Sequence, residues 1–440
     1  MDRADSSANR ASAAGAGATT ATPSSRAGYF RWVICALLLF GTTKNYMDRQ
    51  VLGVLKVTLQ HDLGWNEIDY SNLVAVFQFA YAAGMVLIGR LIDRLGTRIG
   101  YAFAVVAWSL ASMAHGMMST LSGFFVARFA LGFTEAGVFP ASIKATAEWF
   151  PKKERALATG IFNAGTNVGA ALAPLVISFV FVRWGWRASF FVIGGLGFVW
   201  LILWLLIYRK PEEHPHCSPA ELKYIRSDVI EPPAKMRWHK LLPHRQTWAF
   251  ALGKFITDPV WWFYLFWIPD FLERTQGLDI THLGMPILII YVIADTGSVA
   301  GGWLSSALLH RGWDTNAARK TALLVCACAV VPVVFVLKVH SMWGVILLLG
   351  LATAAHQGFS ANLFTLPSDM FPSKAIASVV GIGGMLGAIG GMFFAKMIGY
   401  LLQVTHSYAI PFAIAGSVYF IAVAVIHLLV PKLEPARLDI

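Results

Sequence analysis

Gly89-Arg90-Leu91-Ile92-Asp93-Arg94-Leu95-Gly96-Thr97-Arg98 is a charged turn between two long apolar runs. Gly89 lets a neighbouring helix come close, and Gly96 permits a tight reversal of the chain. Asp93 can face a helix N-terminus elsewhere in the molecule, where the helix dipole favours negative charge. Asp93, Arg94 and Arg98 are therefore assigned to gating. The stretch has a counterpart at residues 301–312 (GGWLSSALLHRG), and residues 147–171 have one at 368–391. The members of each pair hold equivalent places in the two halves of the chain. Such spacing describes a parallel repeat about an axis along the membrane normal.

Working outward from that turn, twelve apolar spans lie near residues 31–57, 69–92, 99–118, 121–147, 154–182, 187–208, 247–272, 282–309, 318–338, 342–366, 374–402 and 407–430. Each can reach the ~20 residues that cross a bilayer. Mean hydropathy is +0.60, and only 13% of residues are charged, against roughly 25% in soluble chains. The expected class is an all-α, multi-pass membrane protein. A net charge of +11 does not point to nucleic acid, because Lys and Arg gather in alternate short loops. That pattern puts both termini and the central linker in the cytoplasm. The expected organisation is a disordered tail at 1–26, a six-helix bundle at 27–208, a polar linker at 209–245, a second bundle at 246–431 and a tail at 432–440. Cys35, Cys217, Cys326 and Cys328 form no disulfide framework, and no signal peptide precedes the first span. His214, His216 and Cys217 share a solvated loop, so no metal and no cofactor are expected.

Lys44, Asp48 and Arg49 lie inside the first span. A charge at membrane depth costs about 2.5–3.5 kcal/mol on insertion scales, so such groups pair, face water or bind something charged. Asp48 is one turn beyond Lys44 and can share its face, while Arg49 points elsewhere. A purely structural ion pair is the alternative. In the fourth span Arg128 and Glu135 are two turns apart on a similar face. Glu135 sits among small and apolar residues, poised to take a proton on one side and release it on the other; the alternative is a permanent salt bridge to Arg128 or Arg49. In the seventh span Lys254 and Asp258 are one turn apart, followed by Pro259, which should break or kink the helix. Trp261, Trp262 and Tyr264 follow, as an interfacial belt or as aromatic faces for a ring, and not all three can point inward. Asn163, Thr166 and Asn167 in the fifth span, and His356, Gln357 and Asn362 in the tenth, are hydrogen-bonding groups that suit a polyol or that fasten helices together.

Residues 89–98 match the loop signature of the major facilitator superfamily at every fixed position. NYMDR at 45–49, residues 128–151 and residues 161–175 resemble the anion:cation symporter family, and residues 254–272 and 354–372 look like its hexuronate transporter branch. The resemblance implies two six-helix bundles around a central cavity and proton-coupled import of sugar acids such as glucuronate or galacturonate. It further implies Asp48 and Glu135 as the proton-coupling pair. By the same resemblance Arg49, with Tyr46 and Tyr81, receives the substrate carboxylate, because guanidinium offers a two-donor fork that stays charged. Thr166 stands where sugar-acid relatives can carry glutamine. Lys44, Arg128 and Asp258 are read as structural partners. The expected partners are a small anionic sugar acid, protons and the bilayer of the inner membrane, with no nucleic acid and a monomeric assembly. The rival readings are transport of another organic anion, such as galactonate or an aromatic acid, and a sugar-acid sensor that transports nothing. No motif of an intramembrane enzyme is present.

Overall fold

The computed structural model describes residues 28–227 and 240–436; the expected N-terminal tail lies outside them. Among the described residues the regular structure is helical throughout. The first span is α1 (Phe30–Val54), followed by a short α2 (Lys56–Leu63). Next come α3 (Glu67–Leu95), α4 (Thr97–His115), and the pair α5 (Leu121–Glu135) and α6 (Val138–Trp149), which together make the fourth span. α7 (Lys152–Ile207) holds the fifth and sixth spans, reversing at Gly185, whose φ of 78° suits a residue without a Cβ. The linker carries α8 (Pro219–Ile225). The second bundle comprises α9 (Arg245–Gln276), α10 (Gly284–His310), α11 (Thr315–Val330) with a 3-10 segment (Val331–Lys338), α12 (Met342–Leu363) with α13 (Thr365–Met370), α14 (Ser373–Thr405) and α15 (Ala409–Leu429).

Among the described residues, eight helices are long and apolar enough to cross a membrane on composition alone, and one of them, Leu157–Ile207, has the 51 residues for two passages. α1 and α9 fall short of that measure because each carries ionised residues along its length. Lys44, Asp48, Arg49, Lys254 and Asp270 are buried in the protein rather than turned to lipid, whereas Arg245 and Arg274, near the ends of α9, are exposed. The seam between the bundles is lined by α1, α3 and α7 on one side and α9, α10 and α14 on the other. Pro259 does not break α9, which runs through it. Proline has no N–H for the Phe255 carbonyl. α14 packs closely there through Gly390, where a Cβ would lie 2.3 Å from that oxygen.

The first part of the linker is docked on the first bundle. Arg31 Nε lies 2.8 Å from Glu154 Oε2, and its backbone N–H donates to Glu221 Oε1 at 3.1 Å. The Tyr224 hydroxyl donates to Glu154 at 2.7 Å. His214 is buried against Phe30 at 4.2 Å between ring centroids, and its Nε2 lies 2.9 Å from the Ile207 carbonyl. The side of the molecule that holds this linker is called the linker side below, and the opposite one the far side.

Candidate functional site

The first half of the site is built on α1. Lys44 Nζ lies 2.6 Å from Asp48 Oδ2 and donates to Ser109 Oγ at 3.0 Å. The Ser112 hydroxyl donates to the other Asp48 oxygen at 2.8 Å. The one-turn register read from the sequence thus forms a satisfied pair, fully buried inside the first bundle. Arg49 leaves that face for the seam. Its Nε lies 2.7 Å from Glu135 Oε2, and its guanidinium stands over four rings: Tyr46 at 4.6 Å, Tyr81 at 4.7 Å, Phe77 at 5.4 Å and Trp262 at 5.4 Å. Aromatic faces hold a cation through their quadrupoles without using its hydrogen-bond donors, so Nη2 of Arg49 remains without a hydrogen-bond partner.

Arg128 is not the partner that Glu135 takes. It is fully buried, stacked over Phe77 at 4.5 Å and Phe266 at 5.5 Å, and none of its three nitrogens makes a hydrogen bond. A buried cation in that condition is costly, and it biases the interior towards anions.

The second bundle closes the other side. Trp262 faces Arg49, and Trp261 stacks on His356 at 5.3 Å and meets Tyr291 edge-on at 5.8 Å. Lys254 and Asp258 form an ion pair at 2.8 Å. Across the seam, the Asn167 amide donates to Asp295 and its oxygen accepts from Gln357 Nε2 at 2.9 Å. Thr166 is buried beside Asn167, while Asn163, one turn nearer the linker side, is exposed. Two of the expected sugar partners stand apart from this group. Tyr264 is wholly buried with its ring against Phe263. The Asn362 amide donates to the carbonyls of Gly301 and Gly358 at 2.8 and 2.9 Å, within the second bundle. His356 lies 2.7 Å from the Tyr419 hydroxyl through Nδ1.

Of the residues assigned to gating, Arg94 is exposed and Arg98 donates to the Leu205 carbonyl at 2.6 Å in its own bundle. The Asp93 side chain lies outside the described residues. A second charged cluster, absent from the sequence reading, seals the far side. Lys56 Nζ lies 2.7 Å from Glu67 and 2.9 Å from Asp270. Arg274 lies 2.6 Å from Glu67 and 2.8 Å from Asp270. Lys56 and Glu67 belong to the first bundle, Asp270 and Arg274 to the second, so the charges alternate across the seam. The Tyr408 hydroxyl completes the cluster on Asp270. Further cross-seam bonds join Gln50 to Tyr291, Tyr70 to the Phe266 carbonyl, and Ser178 to the Ile280 carbonyl. The signal that could have found the cluster was Asp270, a carboxylate still within the seventh apolar span.

Two like six-helix bundles with ionised groups gathered at their seam define a membrane transporter. The chain belongs to the Major Facilitator Superfamily, whose profile matches residues 38–395. It is similar to a hexuronate transporter of Escherichia coli strain K12, at 32% identity over 378 residues that cover 84% of this chain and 87% of the relative. It is also similar to a probable galactarate/D-glucarate transporter of the same strain, at 28% identity over 86% of this chain and 89% of the relative. The fold is that of a solved D-xylose-proton symporter, with a TM-score of 0.71 at 16% identity over 92% of this chain and 99% of that one.

Proposed function

We propose that this protein is a proton-coupled symporter that imports hexuronates across the inner membrane by alternating access. The observation that carries the reading is the Arg49–Glu135 pair inside its cage of aromatic rings. The guanidinium already holds a carboxylate through Nε, with Nη2 still unpartnered. A substrate carboxylate takes that place only when Glu135 gives up its charge by accepting a proton, and this competition couples the two movements. The charge balance agrees. Lys44, Arg49, Arg128 and Lys254 face Asp48, Glu135, Asp258 and Asp295, so the interior is neutral when all are ionised. One monoanionic substrate with one proton on Glu135 keeps it neutral, which lowers the cost of moving charge through a low-dielectric interior.

In this scheme Asp48 is the second proton-coupling carboxylate, held in waiting by Lys44 and Ser112. Tyr46 and Tyr81 flank the substrate carboxylate, and the Trp261 and Trp262 faces suit the C–H face of a sugar ring. Asn163, Thr166, Asn167 and Gln357 serve its hydroxyls and ring oxygen, and Lys254 touches the anion. Both termini are cytoplasmic and the monomer is the working unit. With the linker side cytoplasmic, the sealed far side makes this the inward-facing state, and the exposed Asn163 lies on its path. Rocking of the bundles then breaks the Lys56–Asp270 and Arg274–Glu67 pairs and closes the turn that holds Asp93, Arg94 and Arg98.

The test is uptake of labelled glucuronate into proteoliposomes, with and without an inward proton gradient. Gradient-driven accumulation in the wild type should vanish in Arg49→Ala. Glu135→Gln should lose accumulation against a gradient. Concentrative uptake by Glu135→Gln would overturn the coupling scheme, and no uptake of any sugar acid by folded, inserted protein would overturn the substrate class.

A further inference from the structure

We propose that Asp295 is a specificity-determining residue that rejects a second carboxylate on the substrate, confining this carrier to sugar acids with one acidic end. The inference rests on the reading above, in which Arg49 holds the first carboxylate.

Asp295 is a half-buried carboxylate near the middle of α10, and Asn167 is the only side chain that acts on it among the described residues. Every other carboxylate along the middle of the seam and the first bundle has a cation within 2.8 Å: Asp48 has Lys44, Glu135 has Arg49, and Asp258 has Lys254. An intramembrane acid without a counter-ion is expensive, and by default marks a functional site. The hydrogen-bond chain around it has one direction. Gln357 donates to the Asn167 oxygen, so the Asn167 amide nitrogen must donate onward, and the chain ends on Asp295. An ionised carboxylate only accepts. Its remaining acceptor capacity is free for ligand hydroxyls, and it offers a second carboxylate nothing but repulsion.

The placement of Asp295 is rigid. A Cβ on Gly297 would lie 2.1 Å from the Ala354 carbonyl, and one on Gly301 would lie 2.4 Å from Gly358. α10 is therefore seated against α12 by its glycines, and Asp295 is held at the seam. Arg49 is not among the groups that act on it. Asp295 is one turn along α10 from Tyr291, whose ring meets Trp261, while Trp262 faces Arg49. A hexuronate whose carboxylate sits on Arg49 extends across the indole faces and presents hydroxyls to Asn167, Gln357 and Asp295. An aldarate in the same pose presents its second carboxylate there.

Like charges within about 8 Å of each other, at an effective dielectric near 20, repel enough to change an equilibrium by at least about thirtyfold. The assay is the ratio of labelled galactarate uptake to labelled galacturonate uptake, measured within each protein. Wild type should take up galacturonate and discriminate against galactarate. Asp295→Asn should raise the galactarate ratio about thirtyfold, whatever its absolute rate, and Asp295→Glu should keep the wild-type ratio. The wild type alone supplies a second test: the monomethyl ester of galactarate, which removes one charge at nearly constant shape, should compete with galacturonate about thirtyfold better than the diacid. The inference is overturned if wild type takes up galactarate as readily as galacturonate, if Asp295→Asn leaves the ratio unchanged, or if ester and diacid compete equally. Galacturonate uptake that persists through those failures leaves the underlying reading intact. No galacturonate uptake by wild type overturns both.

Discussion

Replacing Lys56 by Met should tip the transporter away from its far-side-sealed state. Lys56 is fully buried and joins Glu67 of its own bundle to Asp270 of the other. Only the second contact depends on the bundles being closed, because the Lys56–Glu67 pair can survive when they part. At 2.9 Å and an effective dielectric near 20, a pair of unit charges attracts by about 6 kcal/mol. Desolvating both groups offsets a large share of that, and breaking one buried pair typically costs 3–5 kcal/mol. A loss of about 3 kcal/mol from the sealed state alone is the working figure. It corresponds to a shift of roughly a hundredfold in the equilibrium between the two states.

The assay is double electron–electron resonance between spin labels on two exposed far-side positions, Asp62 and Val404, one in each bundle. The four native cysteines are replaced beforehand. Lys56→Met should move the distance distribution from short to long in the absence of substrate. Asp270→Asn in the same chain removes the carboxylate that Lys56→Met deprives of its cross-seam cation and leaves with Arg274 of its own bundle, so the double variant should open by less than the sum of the two single effects. A short distance that persists in Lys56→Met would refute the reasoning, as would a double variant that opens by the sum of the single effects.

Two further outcomes follow from contacts elsewhere. Gly169 faces α1 so closely that a Cβ would lie 2.3 Å from the Thr43 carbonyl and 2.8 Å from Tyr46 Cβ. Gly169→Val should therefore cost about 1–3 kcal/mol of overpacking, lower the melting temperature in detergent and weaken sugar-acid binding by displacing Tyr46, whereas Gly160→Ala, with nothing within 4 Å, should change neither. His214 in the linker has its pKa lowered from the ordinary 6.5 by burial. The docked linker thus favours the neutral ring, and its docking is at full strength above about pH 6.5 and weakens as pH falls through that value towards the lower folded pKa. Protection factors over residues 211–227, which divide out the intrinsic slowing of amide exchange at lower pH, should fall below pH 6.5 in the wild type, and that fall should vanish in His214→Gln; protection independent of pH in the wild type would sink the argument.

The parts of this molecule that could be read from the sequence are those fixed by a single helix. Apolar length marked the spans, and the one-turn register of Lys44 with Asp48 and of Lys254 with Asp258 gave two ion pairs, because 3.6 residues per turn leaves no other geometry. The same rule could not choose a partner for Glu135. Arg128 shares its helix, yet Glu135 reaches Arg49 on α1, and that choice is made by the tertiary arrangement that brings the end of α5 to α1. Asn362 reads as a sugar ligand within a polar run; Gly301 and Gly358 bring α10 and α12 so close that its amide nitrogen donates to both their carbonyls, while its oxygen keeps no hydrogen-bond partner. Lys56, Glu67, Asp270 and Arg274 were harder still. Each lies near a span end, where a charged side chain ordinarily reaches for the membrane interface. A carrier must also be able to break whatever it uses to seal one face. Its seam charges cannot therefore be matched by one best packing of the sequence, since they are satisfied across the seam in one state and by water or their own bundle in the other.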